Sequence, residues 1–481
     1  IIVGRYIGPD AYGQLAIGIM ILGFARAFSG ASLDNALRKF IPEYREEGDL
    51  ASIKGVTLSS IHITLVLSVI VATVIYFSAD WLAVEFFKSP ELVTIIRIFG
   101  ILPVIVGPYN RILDATLGFN TTKYNVLSKN LFQNAVKIVF TVILAFWFGY
   151  GLMGAIWAWV IATVASTVLA FYFLEKKLGP VLLSNVKAEQ KHKEIILYSY
   201  PLLLSGIISK VQGWTDTAVI GYFMSNADAG FYNAAYPTAM LIMIPSQALG
   251  SLALSSLSEL GASSEKSREK ALKTLTNWTF ALVFPAFLLM TLFAEQTIQI
   301  LFGKQYSVAA TALAILAFSN LISASVGRIG SYLKSKGYTK IIFYNTLVTV
   351  VLNLALNIYL IPKYGITGAA IATATSAILG EILIFVETYR YEDVLSLHPK
   401  MLRTFISGTL SITATYLIVD SIFAVTPYWA LIPAGIFFFT LHILIFLKIG
   451  GLTNYDREIL LTLARKIGKE ELMKKILYHL T

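Results

Sequence analysis

Thirteen apolar segments, each long enough to cross a lipid bilayer, dominate this chain. A helix needs about 20 apolar residues to span the hydrocarbon core. The segments are continuous rather than alternating, which excludes a membrane-spanning β-barrel. We therefore expect an all-α polytopic membrane protein with about 14 spans, the first truncated and ending near Gly4. The thirteen segments lie near residues 12–36, 54–78, 93–117, 125–148, 152–174, 195–222, 229–257, 274–294, 307–333, 341–361, 366–387, 401–420 and 427–447.

The composition supports this class and excludes several others. Of the 481 residues, 56% are hydrophobic and 14% are charged, against about 25% charged residues in soluble proteins. The absence of Cys excludes disulfides, thiolate zinc sites and a Cys nucleophile. No Gly-rich phosphate loop followed by Lys-Ser or Lys-Thr is present, so ATP hydrolysis is not expected. The net charge of +10 belongs to loops beside the membrane, and nucleic acid is not an expected partner.

Lys and Arg are concentrated in every second loop. The first set of loops and the C-terminal tail carry 28 of the 38 cations, and the second set carries four. Because cytoplasmic loops are enriched in Lys and Arg, the first set is predicted to be cytoplasmic, with both termini on that side of a plasma membrane. We call the side of the protein that carries the first set of loops the cation-rich side, and the opposite side the cation-poor side. The second set consists of Arg5, Lys88, Lys304 and Lys363.

The chain also contains an internal repeat. Residues 150–155, Tyr-Gly-Leu-Met-Gly-Ala, match residues 364–369, Tyr-Gly-Ile-Thr-Gly-Ala, at an offset of 214. Arg111 and Arg328 are 217 residues apart. Each copy contains six spans, an even number, so the two copies have the same orientation in the membrane. Transporters built this way place the substrate between their halves.

The repeat and the loops predict five regions. They are an N-terminal lobe at 1–178, a cytoplasmic linker at 179–194, a C-terminal lobe at 195–392, two further spans at 393–450 and an amphipathic helix at 451–481. In the last region apolar residues share one helical face and cations the other, which is typical of an interfacial helix. The alternative for that region is a solvated basic tail.

Six cations lie inside the predicted spans. Arg97 is near the end of its span and can extend its charge to the surface. Each of the other five costs about 2.5–3.5 kcal/mol at mid-membrane unless it faces water or a partner. A cavity lined by cations would bind phosphate or pyrophosphate. The five candidate substrate-binding residues are Arg26, Arg111, Lys137, Lys210 and Arg328.

The alternative for these cations is pairing with acids inside the membrane. Asp114 follows Arg111 by three residues, so the two can pair on one helix face. The other candidate acids are Asp34, Asp216, Glu381 and Asp420.

A second polar group points to a cation site. Asn353 and Asn357 are four residues apart and share a helix face. Asp216 and Thr373 would complete a set of carboxylate, amide and hydroxyl oxygens if the spans adjoin, and such oxygens suit a hard cation. The alternative is ordinary hydrogen bonding between helices.

These motifs resemble the multidrug/oligosaccharidyl-lipid/polysaccharide flippase superfamily, and most closely its polysaccharide (O-antigen-type) branch. The residues that carry the resemblance are the opening motif at 4–13, the first cytoplasmic loop at 38–45, and the paired Tyr-Gly-x-x-Gly-Ala segments. The resemblance implies two six-helix lobes, two additional C-terminal helices, and export of a polyprenyl-linked oligosaccharide by alternating access.

The resemblance also implies roles for particular residues. Arg26 lies in Arg-Ala-Phe-Ser-Gly-Ala, which is similar to the cavity arginine motif of lipid II flippases, though one residue shorter. Those relatives carry a basic residue on the eighth helix. Residues 240–260 of this chain contain none, and this difference argues against lipid II as substrate. Asp216, Asn353, Asn357 and Thr373 are similar to a sodium site of that relative. Asn357 stands where the relative has an acid, which would weaken the site.

The expected function is that of a flippase without covalent chemistry. It would move a polyprenyl-(pyro)phosphate-linked oligosaccharide from the cytoplasmic to the outer leaflet. The protein is expected to be a monomer, with membrane lipids as its other partners. No cofactor is expected beyond sodium or a proton as coupling ion. One alternative is a multidrug-type cation exporter of the same superfamily, whose cavity should be lined by acids and aromatics. The other is a membrane glycosyltransferase, which would need a large extracellular catalytic loop; the outer loops here are short.

Overall fold

The protein is described by a computed structural model that covers residues 1–30, 32–179, 181–247, 249, 265–326, 329–393, 400–423, 426–449 and a few isolated positions beyond 460. Helices account for nearly all of the described chain, because a backbone in lipid must satisfy its hydrogen bonds within the segment itself. The first eight helices are α1 (Ile2–Gly30), α2 (Leu33–Glu46), α3 (Leu50–Phe86), α4 (Leu92–Gly118), α5 (Lys123–Trp147), α6 (Gly151–Lys177), α7 (His192–Phe223) and α8 (Asn226–Met240). The remaining helices are α9 (Glu265–Leu292), α10 (Ala294–Phe302), α11 (Lys304–Val326), α12 (Ile329–Ser335), α13 (Thr339–Glu392), α14 (Met401–Ile422) and α15 (Tyr428–Lys448).

Ten of the described helices are long and apolar enough to cross a membrane. One of them, α13, bends at Gly365 and covers two predicted spans. Helix α7 covers the predicted span 195–222, and α8 begins the span 229–257, whose remainder lies outside the described residues. The predicted all-α polytopic fold is confirmed, and the chain is a multi-pass membrane protein. The predicted amphipathic helix at 451–481 falls almost entirely outside the described residues.

The described chain groups into two compact units. The first consists of Ile1–Ala234 with Thr346–Ala372, and the second of Ala235–Asn345 with Thr373–Thr481. The lobe boundaries that the repeat predicts stay a prediction.

The first span ends earlier than the sequence predicts. Instead of continuing to residue 36, α1 ends at Gly30, and Ser32 has a left-handed φ of 54° that separates it from α2. Helix α2 is amphipathic, with apolar residues at helical spacing on one face. That face is buried against α3 and α4, which leaves Asp34 and Arg38 on other faces. Its buried residues are Leu33, Ala36, Leu37, Phe40 and Ile41.

The repeated Tyr-Gly-x-x-Gly-Ala motif forms the same local structure twice. Gly151 and Gly365 both have positive φ, at 49° and 57°, a conformation that favours glycine. Three residues later, a β-carbon on Gly154 would lie 2.6 Å from the backbone nitrogen of Ala145, and one on Gly368 would lie 2.4 Å from the carbonyl oxygen of Leu360. Each motif therefore reverses the chain sharply and packs the new helix directly against the one before it.

Helices α1 and α8 cross at very short range near their cation-poor ends. A β-carbon on Gly13 would lie 1.6 Å from the carbonyl oxygen of Asn226, and one on Gly230 would lie 2.1 Å from the carbonyl oxygen of Pro9. The Asn226 side chain also donates a hydrogen bond to Ser89 Oγ at 3.0 Å. The first unit is therefore tightly closed at this point.

The predicted linker is bound along α3. Lys54 Nζ donates a hydrogen bond to the carbonyl oxygen of Ser184 at 2.6 Å. A β-carbon on Gly55 would lie only 1.7 Å from the carbonyl oxygen of Glu189. Residues 181–191 thus belong to the first unit.

In the second unit, the last two helices pack beside α9. Phe284 of α9 lies so close to α14 that a β-carbon on Gly408 would be 2.7 Å from its ring. Phe438 of α15 belongs to the same apolar packing as Ile412 and Val419 of α14. Small residues allow this close packing of helices in a membrane.

Candidate functional site

A cavity of about 570 Å³ lies within the first unit. Five cations and two carboxylates line it, which leaves an excess of three positive charges. We call it the cationic cavity. Its charged residues are Arg26, Asp34, Arg38, Arg111, Asp114, Lys129 and Lys210.

Arg111 is the most deeply buried cation of the cavity, at 5% exposure. One nitrogen of its guanidinium, Nη2, is 3.0 Å from Asp114 Oδ2. The other two, Nε and Nη1, are buried without a hydrogen-bond partner. An unmet buried donor is costly, and an arginine keeps its charge in proteins. An anion with several oxygens would satisfy these donors, because a charged guanidinium forms strong hydrogen bonds with phosphate and carboxylate oxygens.

Asp114 is shared between two arginines. Arg38 Nη2 approaches its other oxygen, Oδ1, at 3.5 Å, while the Arg38 side chain remains 50% exposed. The pairing of Arg111 with Asp114 that the sequence offered as an alternative is thus present, yet it uses only part of the arginine. The exposure of Arg38 shows that the cavity reaches the protein surface at the end formed by α2.

The remaining cations come from three other helices. Arg26 is half-buried, one turn before the end of α1. Lys210 of α7 reaches towards α1, where its ammonium lies 3.5 Å from the position of a β-carbon on Gly30. Lys129 is half-buried near the start of α5. Among the acids that the sequence named as possible partners, Asp34 and Asp114 line this cavity.

Lys137 occupies a neighbouring pocket. This pocket has a volume of about 500 Å³ and is mostly apolar, and it shares Ile19 and Trp159 with the cationic cavity. The Lys137 ammonium lies 5.6 Å from the centre of the Trp159 ring, within the range of a cation–π interaction. The structure therefore brings Arg26, Arg111 and Lys210 together and places Lys137 beyond Trp159.

The fifth predicted cation, Arg328, lies outside the described residues. Sequence reasoning missed two cations that line the cavity, Arg38 and Lys129, because both were counted among the cytoplasmic loops. The signal was available for Lys129, which lies within the first two turns of an apolar helix.

The proposed coupling-ion residues are partly brought together. Asp216 Oδ1 accepts hydrogen bonds from Asn357 Nδ2 at 2.6 Å and from Asn353 Nδ2 at 3.3 Å. Tyr232, which the sequence did not single out, donates its hydroxyl to Asp216 Oδ2 at 2.6 Å. Asn357 is fully buried, and its Oδ1 has no hydrogen-bond partner.

This arrangement fits a small hard cation, because rotation of the two amides would turn their oxygens towards the carboxylate. The Asn357 oxygen, which has no hydrogen-bond partner, would then coordinate the cation. Thr373 is half-buried and belongs to the second unit, and its carbonyl oxygen accepts a hydrogen bond from Ser376. Its part in a cation site stays a prediction.

A family model described as "Polysaccharide biosynthesis protein" matches residues 2–311, which is more than half of the chain and includes every charged residue of the cationic cavity. The chain belongs to this family. The predicted resemblance to the polysaccharide branch of the superfamily is confirmed by this match.

The chain is similar to several curated proteins. It is 30% identical over 192 residues to the "Probable low-salt glycan biosynthesis flippase Agl15" of Haloferax volcanii, which covers 40% of this chain and 41% of that protein. The match thus spans about two fifths of that relative's length. It is 24% identical over 356 residues to the "Succinoglycan biosynthesis transport protein ExoT" of Rhizobium meliloti, covering 73% of this chain and 67% of that protein.

Solved structures share the fold of this family member. The "Lipid II flippase MurJ, inward closed conformation" superposes with a TM-score of 0.71 at 14% identity, covering 92% of this chain and 95% of that one. An inward-facing multidrug resistance transporter of the MATE family superposes with a TM-score of 0.66 at 17% identity, covering 81% and 92%. At these identities the likeness shows the fold alone.

Proposed function

We propose that this protein is a flippase that moves a polyprenyl-(pyro)phosphate-linked oligosaccharide from the cytoplasmic to the outer leaflet. The observation that carries the proposal is Arg111, whose buried guanidinium has two unpartnered nitrogens beside a cavity with three surplus positive charges. A diphosphate carries negative charge to balance these surplus positive charges and several oxygens to accept hydrogen bonds from the two nitrogens. Relatives named as a flippase and as a polysaccharide transport protein support the assignment.

Binding would rest on the arginines. The phosphate oxygens would accept hydrogen bonds from Arg111 Nε and Nη1, which are stronger than neutral hydrogen bonds because the donor is charged. Arg26, Lys129 and Lys210 would neutralise the remaining charge. The polyprenyl chain would stay in the bilayer while the head group crosses, so the protein forms and breaks no covalent bond.

Transport would proceed by alternating access. The crossing of α1 with α8 closes the first unit at its cation-poor end, so substrate would be bound from the cation-rich, cytoplasmic side. Release on the other side requires Gly13 and Gly230 to separate from the backbones they contact. We assign the protein to a plasma membrane, with both termini cytoplasmic, on the distribution of its loop cations.

Sodium is the coupling ion that the polar cluster supports best. Asp216 would supply a carboxylate oxygen, and Asn353 and Asn357, whose amide nitrogens now donate hydrogen bonds to Asp216, would supply amide oxygens after rotation. The orphaned oxygen of Asn357 is the observation in its favour. The alternative coupling ion is a proton held by Asp216. Measuring whether a sodium gradient or a proton gradient drives transport would distinguish the two.

A multidrug exporter of organic cations is disfavoured by the charge of the cavity. Like charges repel strongly in a low-dielectric site, and five cations against two carboxylates would oppose a cationic drug. The MATE-like fold does not decide between these activities, because one fold supports different functions.

The test is a flipping assay with purified protein in vesicles that contain a fluorescent polyprenyl diphosphate-linked oligosaccharide. We expect Arg111→Ala and Arg26→Ala to reduce the flipping rate by at least about tenfold, since each removes charge-assisted hydrogen bonds. Arg97→Ala is the matched control: Arg97 lies on α4 with Arg111 but is paired with Asp80 at 2.6 Å, away from the cavity. Equal rates for the wild type and the Arg111 variant would refute the proposal.

A further inference from the structure

Two tryptophans line the cationic cavity in addition to its charges. Trp159 comes from α6 and Trp214 from α7, and both are half-buried. Trp159 lies about 12 Å from the start of α6 and Trp214 about 14 Å from the end of α7, at 1.5 Å per residue. Both of these helix ends are on the cation-poor side. Arg111 lies about 10 Å from the opposite end of its helix. The cavity therefore has a cationic part and, deeper, an aromatic part.

The neighbours of Trp214 hold its indole in one place. A β-carbon on Gly23 of α1 would lie 2.2 Å from Trp214 Nε1. The indole thus lies against bare backbone, and only glycine at position 23 leaves room for it. Trp159 is held in a similar way, by a T-shaped contact with Phe99 at 5.3 Å between ring centres and by the Lys137 ammonium over its ring. Side chains fixed in advance lose little entropy when a ligand binds.

The spacing links the aromatic part to the cationic part. Lys210 and Trp214 are four residues apart on α7 and share a helix face. The Lys210 ammonium lies beside Gly30 of α1, two turns or about 10 Å beyond Gly23, the residue that Trp214 contacts. Arg26 lies between these two levels, about one turn from Gly23. A diphosphate held by Arg26 and Lys210 would therefore extend the group attached to it towards the level of Trp214.

The charge of the cavity limits what that group can be. An aromatic face attracts cations, but three surplus positive charges exclude a cationic ligand from this site. A sugar ring is neutral, and its C–H bonds carry partial positive charge because an electronegative oxygen or nitrogen atom is attached to every ring carbon. Such a C–H face complements the negative face of an indole.

We propose that Trp159 and Trp214 form a subsite for the first sugar of a glycosyl diphosphate, about one to two helical turns from the cations that bind its phosphates. This proposal rests on the proposed function and adds to it that the protein binds the sugar directly. Bare lipid diphosphate, which the same membrane would contain after glycan transfer, would be bound less tightly than the sugar-bearing form. The subsite would thus separate substrate from spent carrier.

The experiment is a set of binding titrations with the full purified chain. Three probes are used: a polyprenyl diphosphate, the same lipid diphosphate carrying one N-acetylglucosamine, and UDP-N-acetylglucosamine. The wild type should bind the sugar-bearing lipid about tenfold more tightly than the bare lipid, which is the size of one good aromatic contact. Trp214→Ala and Trp159→Ala should remove this difference and leave the affinity for the bare lipid within twofold of the wild type.

Two further variants make the result specific. Trp214→Phe should keep most of the sugar preference, because it keeps an aromatic face. Trp157→Ala is the matched control, since Trp157 is on the same helix as Trp159 but is 49% exposed and outside the cavity. It should bind all three probes like the wild type.

The outcomes separate the two proposals. If the tryptophan variants weaken both lipids equally, or change neither, the sugar subsite is wrong while the flippase proposal stands. If the wild type binds neither lipid, both proposals are wrong. If UDP-N-acetylglucosamine binds as tightly as the sugar-bearing lipid and depends on Trp214, the subsite is supported and the lipid-linked substrate is overturned.

Discussion

Gly13 and Gly230 occupy equivalent positions on two crossing helices. Gly13 faces the carbonyl oxygen of Asn226, and Gly230 faces the carbonyl oxygen of Pro9. Both pairs of equivalent residues, 9 with 226 and 13 with 230, are 217 apart, which is the offset of Arg111 and Arg328 in the repeat. The crossing of α1 with α8 is therefore locally two-fold symmetric.

The first prediction concerns this crossing. Gly13→Ala or Gly230→Ala would place a methyl group within 1.6 or 2.1 Å of a backbone oxygen, so the helices must move apart. We expect each variant to lower the free energy of unfolding by about 1–3 kcal/mol, as in overpacked cores, which a thermal melt in detergent would measure. Gly213→Ala on α7 is the control, because a β-carbon there meets nothing within 4 Å; it should be neutral or stabilising. Unchanged melting of both crossing variants would contradict the geometry.

The second prediction concerns Asp114. Asp114→Asn removes a negative charge that now occupies part of Arg111 and Arg38. We expect the variant to bind a polyprenyl diphosphate several-fold more tightly, because both arginines become available to phosphate. The affinity would be measured by titration beside Asp80→Asn, which breaks an ion pair with Arg97 outside the cavity and should have no effect on binding. Weaker binding by the Asp114 variant would mean that the carboxylate is needed to hold Arg111 in place.

The third prediction concerns the coupling ion. Asp216→Asn leaves a neutral side chain of the same size beside Asn353 and Asn357, which cannot balance the charge of sodium. We expect a sodium gradient to accelerate flipping by the wild type and to have no effect on the variant. Asp228→Asn is the control variant, since Asp228 accepts a hydrogen bond from the Ser225 hydroxyl at the exposed start of α8. If a proton gradient rather than a sodium gradient accelerates flipping by the wild type, and the Asp216 variant loses that acceleration, Asp216 would be assigned to proton coupling.

The fourth prediction is a pH effect at the start of α3. Asp49 caps this helix by accepting a hydrogen bond from the Ser52 backbone N–H at 3.0 Å. Hydrogen bonds from the Ser52 side chain and backbone lower the pKa of Asp49 below its ordinary 3.8. The stabilisation is therefore complete above the ordinary pKa and is lost as the pH falls through the lowered folded value.

We expect Asp49→Ala to destabilise the protein by about 1 kcal/mol at pH 7. The difference from the wild type should shrink at pH 3. Asp49→Asn keeps a good cap without a titrating group, so it should be stable at pH 7 and show no such dependence. Melting curves of the three proteins at both pH values test this, and a pH-independent deficit in the alanine variant would argue against the cap.

Much of the fold could be predicted because a lipid environment leaves few choices. A continuous apolar run of sufficient length must be a helix, so α5 and α6 were expected close to their observed bounds, whereas α3 extends beyond its predicted span at both ends, to Leu50 and Phe86. Helix α2 was not expected, because residues 33–36 were assigned to the preceding span and residues 38–45 to a loop, and the left-handed turn at Ser32 has no obvious sequence signal.

The site was predictable only in part. Arg26, Arg111 and Lys210 stood out because a charge inside an apolar segment is costly. Nothing in the sequence says which faces of α1, α4 and α7 meet, so the separation of Lys137 from these three could not be predicted. Tyr232 and Trp214 are ordinary residues of membrane helices, and only their packing against Asp216 and Gly23 gives them a role.

The surplus charge of the cationic cavity has one further consequence. Three surplus positive charges in a cavity of about 570 Å³ attract small anions such as chloride or inorganic phosphate, because mobile ions screen fixed charge. Under the proposed function, binding of the lipid diphosphate would displace such anions, so it would be an exchange of ions rather than a simple association. The ionic composition of the solution on that side would then set how readily the lipid binds.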